Sequence, residues 1–156
     1  LSPLKLIIKA FSHETDLCIV SPDAGGVKRA NNVANALNAS LAVVHKTRPK
    51  PGEASVVTIE GNVQGKNCLM IDDIIDTGGS LLNAAKVLRE KGALTVKAFC
   101  THAVLSKNAI EKVENSKDLQ ELVVTDTIPL KKQSQKIRVQ SVADILAEAL
   151  AEETAI

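Results

Sequence analysis

The sequence has no tryptophan, no tyrosine and two phenylalanines, Phe11 and Phe99, in 156 residues. That leaves little on which a nucleobase could stack. A charge excess is also missing. Nineteen Lys plus Arg against 18 Asp plus Glu give no global field to recruit nucleic acid or an anionic membrane, so small ligands are the expected partners. No run of about 18 apolar residues occurs, and the N-terminus lacks the charged, apolar and small-residue order of a secretory signal, which points to the cytoplasm. Cys18, Cys68 and Cys100 lack C-x-x-C spacing and sit in apolar runs, as buried free thiols do. His13, His45 and His102 form no metal cluster by spacing and read as structural or surface residues. The only methionine is Met70 and the chain opens on Leu1, which suggests an excised or processed piece. A length of 156 residues with 45% hydrophobic and 24% charged content is enough for one folded domain and too short for two ordinary ones.

What is present is organised around Cys68-Leu69-Met70-Ile71-Asp72-Asp73-Ile74-Ile75-Asp76-Thr77-Gly78-Gly79-Ser80. Four apolar residues without alternation mark a strand buried on both faces of a parallel sheet, and it runs into two adjacent carboxylates. Leu81, Leu82, Ala85 and Leu88 then recur at helical spacing, so the segment reads as strand, loop, helix. A helix N-terminus offers unpaired N–H groups and a positive dipole end. Gly78 and Gly79 let backbone approach a phosphate, and Thr77 and Ser80 add hydroxyls. Asp72 and Asp73 would repel a bare phosphate, so the ligand should also carry vicinal hydroxyls, with or without a divalent cation. A lone Asp pair reads equally well as a solvated strand end, and Asp76 as a helix cap.

The same plan occurs earlier in the chain. Leu17 to Val20 runs into Ser21-Pro22-Asp23-Ala24-Gly25-Gly26, followed by Val27, Ala30, Val33, Ala34 and Leu37 on a helical face. Loops at the carboxyl ends of strands in an open α/β sheet meet at one crevice, which brings Asp23 close to the Asp72 loop. By itself Asp23 is a turn residue as readily as a ligand. Leu41 to Val44 leads into His45-Lys46-Thr47-Arg48-Pro49-Lys50-Pro51-Gly52-Glu53, a basic loop broken by proline. It reads either as a mobile phosphate clamp or as a solvated basic hairpin.

The string D-D-I-I-D-T-G-G-S resembles the ribose-5-phosphate loop of phosphoribosyltransferases, and its form is similar to that of the ribose-phosphate pyrophosphokinase family. S-P-D-A-G-G-V-K-R-A resembles a second signature of that family, absent from ordinary phosphoribosyltransferases. Lys46, Arg48 and Pro49 match its K-x-R-P catalytic loop. T-H-A-V-L-S, E-L-V-V-T-D-T-I-P and S-V-A-D-I-L-A-E-A resemble later segments, so the likeness runs from about Cys18 to Ala149.

This resemblance implies that Asp72, Asp73, Asp76, Thr77, Gly78, Gly79 and Ser80 bind ribose 5-phosphate. It implies that Asp23 contributes to a Mg2+ site beside the diphosphate, and that Lys46 and Arg48 stabilise the transferring group. The implied activity transfers diphosphate from MgATP to the 1-hydroxyl of ribose 5-phosphate, giving 5-phosphoribosyl 1-pyrophosphate and AMP. ATP and ribose 5-phosphate are then the partners, with a homo-oligomeric parent enzyme. The family's enzymes have two similar halves and this chain resembles the C-terminal one. It lacks the first half's adenine-binding groups and metal-associated His, and is expected to be inactive in isolation.

Around these motifs, Leu4 to Phe11 reads as a short helix after Pro3. Ala54 to Ile59, Leu94 to Cys100, Glu121 to Thr125 and Ile137 to Val139 read as strands. Ser106 is expected to cap a helix through Asn115. Ser141 is expected to cap a final helix with Val142, Ile145, Leu146, Ala149 and Leu150 on its apolar face. The alternation predicts a three-layer α/β domain over residues 1–156 with a mostly parallel sheet, which by resemblance is type I phosphoribosyltransferase-like. Three other readings stay open: a salvage phosphoribosyltransferase, a non-catalytic synthetase-associated subunit and a simple sugar-phosphate-binding module.

Overall fold

Pro3 starts the first helix, α1 (Leu4–Phe11), by accepting the Ile7 N–H on its carbonyl at 3.1 Å. A proline loses nothing there because the first helical N–H groups have no intrahelical acceptor. The computed structural model describes residues 3–47, 49–143, 146–147 and 150–151. In order after α1 come β1 (Leu17–Ser21), a 3-10 turn (Ala24–Gly26), α2 (Val27–Ala36), β2 (Ser40–Lys46), β3 (Val57–Glu60) and β4 (Asn67–Ile75). Then follow α3 (Gly79–Glu90), β5 (Thr95–Ala103), α4 (Ala109–Asn115), β6 (Glu121–Thr125) and β7 (Ile137–Gln140).

The seven strands form one sheet in the order β3-β2-β1-β4-β5-β6-β7, parallel except for the β2–β3 hairpin. Side-chain alternation divides the core into two layers. Cys18 and Val20 of β1 and Cys68 and Met70 of β4 pack with Leu81, Ala84, Ala85 and Leu88 of α3. Ile19, Leu69 and Ile71 pack instead with Leu6, Ile7 and Phe11 of α1 and Ala30 and Val33 of α2. β4 is covered on both sides and Cys68 through Ile71 are at most 1% exposed, which is why that stretch shows no polar alternation. Each fully buried Leu, Ile or Met there contributes roughly 1.5–3 kcal/mol.

The chain winds one way from β1 through α2 to β2, and the other way from β4 through α3 to β5. Parallel crossovers are right-handed, so the reversal sends α2 and α3 to opposite faces and opens a crevice at the carboxyl ends of β1 and β4. The fold thereby sets the Asp23 loop beside the Asp72 loop.

Three local expectations change. β4 does not stop at the Asp pair but continues to Ile75, pairing Ile74 with His102 and Ile75 with Ala103. The ladder is made by backbone groups, and β5 is long enough to supply partners. Ser106 does not cap α4, whose N-cap position is Asn108; its hydroxyl donates to Asp76 instead. At the C-terminus the Ser141 hydroxyl accepts the Ala143 N–H at 3.1 Å as a cap does, and Val142 N–H donates to Asp126 Oδ1 at 2.9 Å, but the expected apolar face is not buried throughout. Val142 packs on the α1/α2 layer while Leu146 and Leu150 are exposed. Ile145 and Ala149 lie outside the described residues.

Candidate functional site

The loop after β4 is pinned from beneath. Ile75 carbonyl accepts the N–H groups of Val104 and Leu105 at 3.0 and 3.2 Å, and Asp76 carbonyl accepts that of Ser106 at 3.0 Å. The Asp76 carboxylate takes the Ser106 hydroxyl. Asp76 is therefore a tie to the β5–α4 connection rather than a cap on α3. Gly78 turns the chain into α3 at φ +82°, a conformation that disfavours a side chain.

Among the described residues no side chain caps α3, and a Cβ built on Gly79 would meet nothing within 4 Å. The helix thus begins without a side-chain cap and with open space at the side-chain position of Gly79. Asp72, Ile74, Asp76, Thr77, Gly78 and Ser80 line a concavity of about 210 Å³ there. That lies below the roughly 300–1,000 Å³ of pockets for drug-sized ligands, and suits something compact.

Asp72 and Asp73 do not share one pocket. Asp72 lines the concavity beneath α3, and its Oδ1 accepts the Asp73 N–H at 2.8 Å. Partial burial holds the Asp72 carboxyl above the usual carboxylate range. Asp23 and Asp73 push the same way, against the Asp73 N–H and the Arg29 guanidinium, whose Nη1 is 3.8 Å from Asp72 Oδ1. Asp73 lines a second cavity of about 420 Å³ with Arg29, Thr101, His102 and Thr127.

The Asp23 loop is closed on itself. Asp23 has extended backbone, its Oδ1 accepts the Gly26 N–H at 2.9 Å, and the buried Ser21 hydroxyl donates to its carbonyl. Among the described residues no three His, Cys, Asp or Glu side chains gather as a metal cluster. The acids that are present are hard oxygen donors. They fit a cation such as Mg2+, which takes one or two carboxylates and fills the rest of its shell with water and substrate phosphate.

Lys46 is the last residue of β2, exposed and paired in register with Val57. The hairpin closes through Thr47 N–H to Val56 carbonyl at 2.9 Å. β2 runs parallel to β1, so Lys46 lies on the same edge of the sheet as Asp23 and Asp72, two strand positions from β4. Two inter-strand spacings are about 10 Å, and no contact joins Lys46 to either acid. His45 is tied to Glu60 across the hairpin at 2.9 Å. Arg48 lies outside the described residues.

Two residues at the site were not singled out from the sequence. Arg29 reaches Asp72 from the first turns of α2. His102, read as structural or surface, faces Asp73 with Nε2 3.9 Å from Oδ1. The only sequence signal for either was its place within a strand–loop–helix string.

A family model described as the phosphoribosyl synthetase-associated domain matches residues 46–153. Among curated proteins, ribose-phosphate pyrophosphokinase of Clostridium acetobutylicum is 49% identical over 148 residues, covering 94% of this chain and 46% of that protein. Its counterpart in Coxiella burnetii is 54% identical over 121 residues, covering 77% of this chain and 38% of the relative. Phosphoribosylpyrophosphate synthetase from Mycobacterium smegmatis superposes with a TM-score of 0.81 at 34% identity, over 97% of this chain and 49% of that one. An APRTase from Giardia lamblia, at 19% identity and a TM-score of 0.62 over 74% of each chain, shares the fold alone. The chain spans about half the length of the curated relatives it matches.

Proposed function

Because the chain belongs to the phosphoribosyl synthetase-associated domain family, we propose that it is the ribose-5-phosphate-binding domain, spanning residues 1–156, of a cytoplasmic ribose-phosphate pyrophosphokinase. The parent protein, a homo-oligomer, transfers diphosphate from MgATP to the 1-hydroxyl of ribose 5-phosphate, giving 5-phosphoribosyl 1-pyrophosphate and AMP. The observation that carries this reading is the uncapped N-terminus of α3 with carboxylates set beside it. N–H groups and a helix dipole attract a phosphate, while carboxylates accept from hydroxyls. A ligand with a phosphate at one end and vicinal hydroxyls at the other satisfies both.

In this reading Thr77, Gly78, Gly79 and Ser80 hold the 5-phosphate. Asp72 and Asp73 accept from the sugar hydroxyls, and Asp76 fixes the loop through Ser106. Lys46 and Arg48 supply positive charge where the diphosphoryl group passes, an effect exerted mainly in the transition state. Asp23 supplies a carboxylate for Mg2+, which when bound neutralises charge on the diphosphate. The Asp23–Gly26 hydrogen bond keeps that carboxylate fixed before any cation arrives. With little aromatic surface and no described helix long and apolar enough to cross a membrane, neither nucleic acid nor a bilayer is a proposed partner.

The test is calorimetric titration of the chain with ribose 5-phosphate, together with an assay for AMP. Binding is expected because the Asp72–Ser80 loop is built on a core strand and helix. It should weaken by at least tenfold in the Asp72→Asn, Asp73→Asn double variant, since hydrogen bonds to charged groups contribute about 1.5–3 kcal/mol each. No AMP is expected from MgATP plus ribose 5-phosphate. Absence of binding, or affinity unchanged in the double variant, overturns the site. Steady ribose 5-phosphate-dependent AMP production lost on Asp73→Asn overturns the idea that this chain alone is inactive.

A further inference from the structure

His102 belongs to a chain of hydrogen bonds that runs through Thr127 and Thr125 to the Thr101 carbonyl. Thr125 hydroxyl donates to Thr101 carbonyl at 2.6 Å. Thr127 hydroxyl lies 3.0 Å from both that carbonyl and the Thr125 oxygen, so its single proton has an acceptor in either direction. His102 Nδ1 is a third neighbour of that hydroxyl, also at 3.0 Å, and a ring nitrogen can accept its proton. A Thr127 hydroxyl donating to Nδ1 leaves the ring proton on Nε2, which faces the Asp73 carboxylate from 3.9 Å.

These groups sit at the rim of the 420 Å³ cavity, where His102 is 39% and Asp73 55% exposed. The imidazole is not core filling, and the hydroxyls that anchor it come from the end of β6 and the turn beyond. We propose that His102 is a positioning residue: locked by Thr127, it holds the Asp73 carboxylate toward the hydroxyls of a sugar phosphate lying above β4. This rests on the sugar-phosphate reading, in which Asp73 is a hydroxyl acceptor. An exposed carboxylate is free to rotate, and fixing it beforehand removes an ordering cost from binding.

A double-mutant cycle read by ribose 5-phosphate calorimetry tests the proposal. Asp73→Asn should weaken binding at least tenfold and His102→Ala three- to tenfold, while the double variant should match Asp73→Asn within twofold. His102→Gln, whose amide can reach the place of Nε2, should recover most of the loss. His102→Asn, which restores only the contact to Thr127, should not. Melting temperatures should agree within about 2 °C; if His102→Ala melts earlier, Thr127→Val carries the same cycle, because it unlocks the ring without removing it. Independent, multiplying losses overturn the proposal, as does unchanged affinity in both His102→Ala and Thr127→Val. Unchanged affinity in Asp73→Asn overturns the sugar-phosphate reading itself and this inference with it.

Discussion

The molecule runs from strand into glycine loop into helix twice, and the two versions use their backbone N–H groups in opposite ways. After β1, Asp23 turns its carboxylate inward and takes the Gly26 N–H for itself. After β4, no described side chain caps the start of α3, and Gly79 leaves open space where a Cβ would stand. The first loop is satisfied internally and presents a fixed carboxylate. The second has no such internal partner and leaves its N–H groups to solvent or to a ligand. Similar composition therefore gives one loop closed by its own side chain and one whose helix start is left open.

The sharpest way to break this contrast is to fill the open loop. Gly79→Val should leave the fold intact, because its Cβ meets no atom within 4 Å and the position has an ordinary backbone conformation. It should obstruct the phosphate cradle and remove at least one charged hydrogen bond, about 1.5–3 kcal/mol or roughly 10–150-fold in ribose 5-phosphate affinity. Calorimetry beside a thermal melt checks it; undiminished affinity would show that no ligand group lies against Gly79.

A smaller effect is expected in the closed loop. Asp23→Ala removes the acceptor for Gly26 N–H and should cost about 1 kcal/mol in urea unfolding, whereas Asp23→Asn keeps an acceptor and should lose only tenths. Equal stability of the two variants would mean that the carboxylate does not hold the loop.

The smallest expected change is a gain. Burial raises the Asp72 carboxyl above its unfolded value, so the native state favours the protonated form. Its contribution to stability is then greatest below the unfolded value near 3.9, declines as pH rises through the native value, and is flat and unfavourable at pH 7. Asp72→Asn should raise Tm at pH 7 by roughly 2 °C, an advantage that narrows toward pH 4. A lower Tm at pH 7 would show that Arg29 and the Asp73 N–H outweigh burial.

Much of the fold was legible because its signals are local. Cys68 through Ile71 announced a strand covered on both faces, and both glycine loops announced turns into helices. Of the candidate site, the contiguous stretch was legible as a unit, since Asp72, Asp76, Thr77, Gly78 and Ser80 line one concavity. What escaped came from pairs distant in sequence. Asp76 and Ser106, thirty residues apart, each looked like a helix cap and instead bond to one another. His102 and Arg29 meet the acids only because β5 and α2 are folded beside β4. The extension of β4 to Ile75 was hidden because carboxylates suggest a strand end, while the ladder depends on the backbone of β5.

The strand order has a mechanical consequence. Within the sheet, the arm made of β3, β2 and β1 joins the arm running from β4 to β7 through one seam, the pairing of Leu17 with Asn67, Cys18 with Cys68, Ile19 with Leu69 and Val20 with Met70. Asp23 and Asp72 stand on either side of the upper end of that seam. A ligand touching both loops acts as a clasp on the joint between the arms. At a hundredfold excess over its Kd, such a ligand adds about 2.7 kcal/mol to unfolding by mass action. The slowing of hydrogen exchange should then spread along the β1 and β4 amides deep in the sheet, well beyond the loops that the ligand touches.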